Sequence, residues 1–275
     1  MKSYLWYRNT VQIKILFIIL AGICLPGISS CQRSGKPKVL VFSKNTSFFH
    51  TSIPIGNAAI MKLGTENGFD VDTTTNAEYF TEDSLKKYAA VIFLNNADTS
   101  GSLLNNYQEA EFERYIQSGG GYVGIHAASD AEYDWGWYGR LVGGYFNGDP
   151  DKSQEAILHV EDSTHPATKG LPIEWKRTDE WYNFKKLNKE VHVLITIDER
   201  TYEGGTNGKY HPMSWYHDYD GGRAFYTALG HTEASYTEPL FLKHILGGIK
   251  YAIGDNKELD YSKAKTLKVP KKTGL

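Results

Sequence analysis

Short, wholly apolar runs separated by polar turns dominate the first half of the chain. Val39-Leu40-Val41-Phe42 and Ala90-Val91-Ile92-Phe93-Leu94 are hydrophobic on both alternating faces, the pattern of strands buried on two sides. Tyr122-Val123-Gly124-Ile125, entered through Gly119-Gly120-Gly121, reads the same way. Between the first two runs the period lengthens. Ser52 can cap a helix there, Pro54 suits its first turn, Ile55, Ala58, Ala59 and Leu63 form an inner stripe, and Gly68 is placed to stop it. Residues 71–75 make a further strand, 81–88 a short capped helix, and 107–118 a helix that ends at the glycines. This alternation predicts an α/β fold, a mostly parallel sheet with helices on both faces.

Past Asp130 the apolar runs are broken by loops rich in Trp, Tyr, Gly and Asp. Strand-like pieces at 155–160, 191–197, 213–216 and 224–229 are expected to extend the same sheet. A last helix over 238–253 carries Phe241, Ile245, Ile249 and Tyr251 at approximately helical spacing.

The N-terminus follows another logic. Lys2, Arg8 and Lys14 precede an apolar run over 15–25, followed by Ile28-Ser29-Ser30-Cys31, the order of n-region, h-region and lipobox in an exported lipoprotein. The run is too short for a bilayer span, which needs roughly 20 residues. An ordinary signal peptide ending near a cysteine is the alternative. On the lipoprotein reading residues 1–30 are a signal peptide, Cys31 is acylated, 31–37 tether the protein to a bacterial membrane on its periplasmic or cell-surface face, 38–254 form one domain, and 255–275 are a solvated basic tail.

Cysteine and charge then narrow the chemistry. Cys24 and Cys31 are the only cysteines, so the domain carries no disulfide, no thiolate metal site and no cysteine nucleophile. The formal charge of −2 becomes −5 for residues 31–275 once the three basic residues of the first thirty are set aside, which argues against nucleic acid as a partner.

In an open parallel sheet ligands collect beyond the carboxyl ends of the strands, which directs attention to 43–50, 95–98 and 126–130. Gly124-Ile125-His126-Ala127-Ala128 has the spacing of a nucleophile elbow with histidine in the exposed position. Such a histidine can be a general base, polarise a carbonyl or bind a metal, or it can merely hydrogen-bond at a strand end. Asp179-Glu180-Trp181-Tyr182, His211-Pro212-Met213-Ser214-Trp215 and Gly230-His231-Thr232 are the other dense clusters. Aromatics beside carboxylates and imidazoles suit a site that stacks sugar rings and binds hydroxyls. His165-Pro166 reads as a turn, and His159, His192, His217 and His244 as structural. With no His-Glu-x-x-His helix and no cysteine pair, a divalent metal such as zinc would need ligands from separate loops, for example His50, His126 and His231.

Taken together, Phe42-Ser43-Lys44 with Phe49-His50, the stretch 119–130, the stretch 135–146, His165-Pro166 with Gly170-Leu171-Pro172, Asp179-Glu180-Trp181-Tyr182, His211-Pro212 with Trp215, and the stretch 222–232 resemble the ThuA-like (trehalose utilisation) family. The resemblance covers about 38–254. It implies a flavodoxin-like sheet similar to class I glutamine amidotransferases, and a place in the use of trehalose and other glycosides through 3-keto sugars. His126 falls where the amidotransferase relatives keep their cysteine, so thioester chemistry on glutamine is not expected. The expectation is an exported carbohydrate-processing enzyme in which His126, standing open to solvent, is acid/base or electrophile, Asp130 or Glu180 assists, and His231 completes the site. His50, Trp135, Tyr182, His211 and Trp215 would hold the sugar. A non-catalytic sugar-binding lipoprotein and a metal-dependent hydrolase are the competing expectations.

Overall fold

A computed structural model of the chain describes residues 32–98 and 102–271; the leader-like segment and Cys31 lie outside them. The first half alternates as its apolar pattern dictates. β1 (Lys38–Phe42), α1 (Ile53–Asn67), β2 (Asp70–Thr74), α2 (Glu82–Leu85), β3 (Ala90–Leu94), α3 (Asn106–Gln117) and β4 (Gly121–Ile125) follow one another. Pro54 lies in the first turn of α1 and Gly68 ends it in the left-handed conformation, but Ser52 makes no capping bond. α3 instead has a full capping box, Asn105 accepting from the Tyr107 and Gln108 amides while the Gln108 side chain accepts from the Asn105 amide.

Successive strand residues point to opposite faces, which settles where the helices lie. Phe93 stacks on Phe112 of α3, ring centroids 5.5 Å apart. The next residue, Leu94, faces α1, its Cδ2 lying 3.2 Å from where a methyl on Gly56 would sit. α1 and α3 therefore cover opposite sides of the sheet.

The second half contains α4 (Gly136–Val142), β5 (Tyr145–Phe146), β6 (Gln154–Val160), β7 (Glu174–Asp179), β8 (Phe184–Lys185), β9 (His192–Ile197), β10 (His211–Tyr219), β11 (Gly222–Thr227) and α5 (Pro239–Ile253). The main sheet runs β2-β1-β3-β4-β11-β10-β9-β6-β7, with β5 and β8 paired separately. Its first five strands are mutually parallel in flavodoxin-like order. The strands expected after Asp130 do extend the sheet: β11 joins parallel beside β4, whereas β10, β9, β6 and β7 add antiparallel. The reversal is local in origin: Asp220 and Gly221 both take positive φ between paired Tyr219 and Gly222, a two-residue turn that suits a hairpin.

This antiparallel half does not lie flat. β7 is four strands from β11, which at about 4.8 Å per strand would separate them by roughly 19 Å. Yet Asp179 at the end of β7 accepts a 2.8 Å hydrogen bond from the Gly230 amide just beyond β11. With a register irregularity in β10 around Pro212, Ser214 and Trp215, the half curls back over the carboxyl end of the parallel strands.

The basic tail departs from expectation. The Lys265 and Thr266 amides donate to Gln117, Arg114 donates to the Thr266 carbonyl, and Lys268 and Lys271 pair with Glu82 and Glu78. Hydrogen bonds from α3 fasten this segment across the surface, so it is not a freely solvated tail.

Candidate active site

Four loops deliver the site. His50 follows β1 and precedes α1, His126 is the first residue after β4, Glu180 the first after β7, and His231 lies four residues beyond β11. His126 turns the chain at φ +50, a left-handed conformation that costs a side-chain-bearing residue about 1–2 kcal/mol. Its carbonyl accepts from the Tyr226 hydroxyl at 2.8 Å, which holds that turn. The elbow geometry expected from the spacing is present, opening into a 3₁₀ turn over His126–Ser129.

The ring of His126 is fixed on both sides. Nδ1 lies 2.7 Å from the Ala228 carbonyl and so carries the proton, leaving Nε2 as an acceptor. Nε2 is 3.1 Å from His231 Nδ1 and 3.2 Å from Glu180 Oε2, and His231 Nδ1 is 3.1 Å from the same carboxylate oxygen. The His50 ring packs edge-on at 5.1 Å from His126 and 5.2 Å from His231. One donor atom from each of the four lies within 4.8 Å of the others. Among the described residues this is the group with the donor set to hold a metal ion.

Burial divides the four. His126 is fully buried and His50 is 3 % exposed, whereas the side chains of Glu180 and His231 are 16 % and 24 % exposed. The expectation that the imidazole at 126 stands open to solvent is therefore corrected: His126 lies behind Glu180 and His231, among polar groups. Burial pushes the His50 imidazole down to about 2, helped by the neighbouring His126 and His231, so it is neutral. Burial alone would raise Glu180, but the imidazoles of His126 and His231 against its carboxylate hold it below the usual carboxylate range. Burial opposes charging of His231, yet Glu180 outweighs it and the net shift is upward.

Asp179, part of a cluster noted in the sequence but given no role there, places His231. It is fully buried and accepts from the Gly230 and His231 amides, at 2.8 and 3.2 Å, while pairing with buried Arg177 at 3.2 Å. Gly230 at φ +111 allows that approach. Asp130 accepts from the Tyr133 hydroxyl at 2.5 Å and is raised to about 6, chiefly by burial. It does not join the four.

The proposed sugar-holding residues separate into different roles. Tyr182 is buried, its ring 4.2 Å from that of His126, and forms the wall behind it. His211 is buried too, Nε2 against the Tyr182 carbonyl at 2.8 Å and Nδ1 against Glu199 at 2.9 Å, and so positions Tyr182. Trp215 has no exposed surface and donates to the Val142 carbonyl. Trp135 donates to Glu113 of α3 and stacks with Trp137 and Tyr138. Trp215, fully buried, presents no face to a sugar, whereas Trp135 is only partly buried and is turned by its N–H and ring contacts toward α3 and α4. Phe48 and Phe49, next to His50 in the chain, are 60 % and 59 % exposed, with Phe48 4.8 Å from the His50 ring. Apolar residues in an otherwise polar turn after β1 were the available signal.

Comparison with known proteins adds the following. A family model described as ThuA, trehalose utilisation, matches residues 38–252. No curated protein matches the chain. A ThuA-like protein of Bacteroides uniformis is 23 % identical, with 82 % of this chain and 95 % of that one covered at a TM-score of 0.66. A ThuA-like protein of Parabacteroides merdae is 21 % identical over 84 % of this chain and all of that one, with a TM-score of 0.65.

Proposed function

The chain belongs to the ThuA family of trehalose utilisation, and from that premise we propose that it processes a glycoside or keto-sugar at the centre formed by His50, His126, Glu180 and His231. The observation that carries this reading is the convergence of three imidazoles and a carboxylate at the carboxyl end of the parallel strands, where open α/β sheets bind their ligands. Glu180 and His231, the more exposed pair, face the substrate, and the centre acts as an electrophile toward a sugar carbonyl or hydroxyl oxygen. His126 and His50 hold that pair in place from behind. Phe48 and Phe49 offer apolar surface to a sugar ring at the mouth. The leader-like sequence and Cys31 support export and lipid anchoring on the periplasmic or cell-surface side; an unacylated Cys31 in the mass spectrum of membrane-fraction protein would remove that part.

The test is turnover of a panel of disaccharides and their 3-keto derivatives, read by mass spectrometry, for the wild type, Glu180→Gln and His231→Ala. A loss of at least about 100-fold in kcat/KM for both variants, with melting temperatures preserved, is expected from removing groups that act on the reacting oxygen. Unchanged turnover in both variants sinks the reading, and tight binding of intact sugar without product replaces it with a sugar-binding role.

A further inference from the structure

We infer that His50, His126, Glu180 and His231 are the ligands of one divalent cation of the zinc class. The inference rests on the reading above for its place in catalysis, and names the electrophile of that same centre.

Distances come first. His126 Nε2, His231 Nδ1 and Glu180 Oε2 form a triangle with sides of 3.1, 3.2 and 3.1 Å. Metal–ligand bonds of about 2.0–2.1 Å in tetrahedral geometry place neighbouring donor atoms roughly 3.3 Å apart. The three atoms are thus spaced as one face of a coordination tetrahedron, and His50 supplies a fourth donor within 4.8 Å of the rest.

The surroundings of the ligands argue the same way. Histidines that bind metals anchor their other ring nitrogen on a carbonyl or carboxylate, which fixes the tautomer and aims the free lone pair. His126 does so through Nδ1 on the Ala228 carbonyl. His231 is fixed through its backbone, held by Asp179. His50, 3 % exposed, has an Nδ1 that is buried without a hydrogen-bond partner among the described residues, a cost of about 1–3 kcal/mol unless something binds there. A purely hydrogen-bonded cluster leaves that nitrogen unexplained, whereas a cation accounts for all four side chains.

The donor set selects the ion. Three imidazoles and one carboxylate suit zinc and its first-row neighbours; magnesium and calcium take oxygen ligands. The ligands on one side are buried, and those on the other, Glu180 and His231, reach solvent. A further coordination position on that side would take water or a sugar oxygen, where a bound cation serves as Lewis acid.

Isothermal titration of the chelator-dialysed protein with zinc chloride tests this, alongside turnover before and after dialysis. One zinc per chain is expected, with a rise in melting temperature. His50→Ala and His231→Ala should each weaken zinc binding at least about 100-fold while retaining the wild-type circular dichroism spectrum. His159→Gln, on β6 outside the centre, should bind as the wild type. Absence of stoichiometric zinc binding, or binding unchanged in both ligand variants, overturns the inference. Sugar turnover that survives complete removal of metal also overturns it and leaves the sugar-processing reading standing; zinc bound by these ligands with no turnover on any sugar does the reverse.

Discussion

The parallel and antiparallel halves of the sheet contribute to the site in opposite ways. β1 and β4 deliver His50 and His126, both buried, on loops braced by helices on the two faces. β7, at the far edge of the antiparallel half, delivers the partly exposed Glu180, and reaches the centre only because that half curls. One half is a scaffold that fixes lone pairs; the other is a flap of sheet fastened to it by a polar clamp. Asp179 is that clamp, joining β7 to the loop that carries His231.

Cutting the clamp should have the largest effect. Asp179→Ala leaves buried Arg177 without one of its partners and frees two backbone amides; breaking a buried pair from one side costs about 3–5 kcal/mol. Urea unfolding should show that loss, and hydrogen exchange should show it in amides of β7 and the 228–231 loop before those of β1, β3 and β4. A loss below about 1 kcal/mol would mean the flap is held by other contacts.

The parallel half carries a different weakness, a buried carboxyl. Glu132, 2 % exposed in the loop after β4, is raised to about 7, mainly by burial and against the hydrogen bond it accepts from the Leu104 amide. A carboxyl raised on folding binds its proton more tightly in the folded state. Its contribution is intact below the ordinary value of 4.5 and is lost as the pH climbs from there through about 7. The full loss is on the order of 3 kcal/mol. Glu132→Gln should therefore be more stable than the wild type above pH 7 and equal to it near pH 4. Equal stability across that range would show that Glu132 is ionised at little cost.

Trp215→Phe, on the first antiparallel strand, is the mildest of the three. It leaves the Val142 carbonyl unpaired, at about 1–3 kcal/mol, and should leave KM for a sugar unchanged. A raised KM with stability intact would restore the sugar-holding role that burial denies this indole.

Legibility in the sequence follows the same division. The parallel strands are apolar on both faces and stand out as unbroken runs, and the elbow at His126 is visible in the small residues around it. β7 escaped notice because its inward positions are Trp175, Arg177 and Asp179. Two of the three are charged, so the strand shows no apolar alternation. Glu180 drew attention through the residues around it, but nothing in their order reveals a sheet that curls by four strands. Trp215, in a glycine-rich region, has the look of a binding surface in the sequence, and only the fold shows that its ring is enclosed and its N–H satisfied inside. Phe48 and Phe49 have no such look, being hydrophobic in a turn whose polar residues suggest the chemistry.

The curl also orders events during folding. A chain that has assembled only β1 to β4 possesses the His50 and His126 imidazoles and nothing to complement them, since Glu180 and His231 arrive through contacts distant in sequence, whose loop-closure entropy must be met first. A cation at the proposed centre would therefore find its full set of ligands only once β7 and the loop after β11 have closed over β1 and β4.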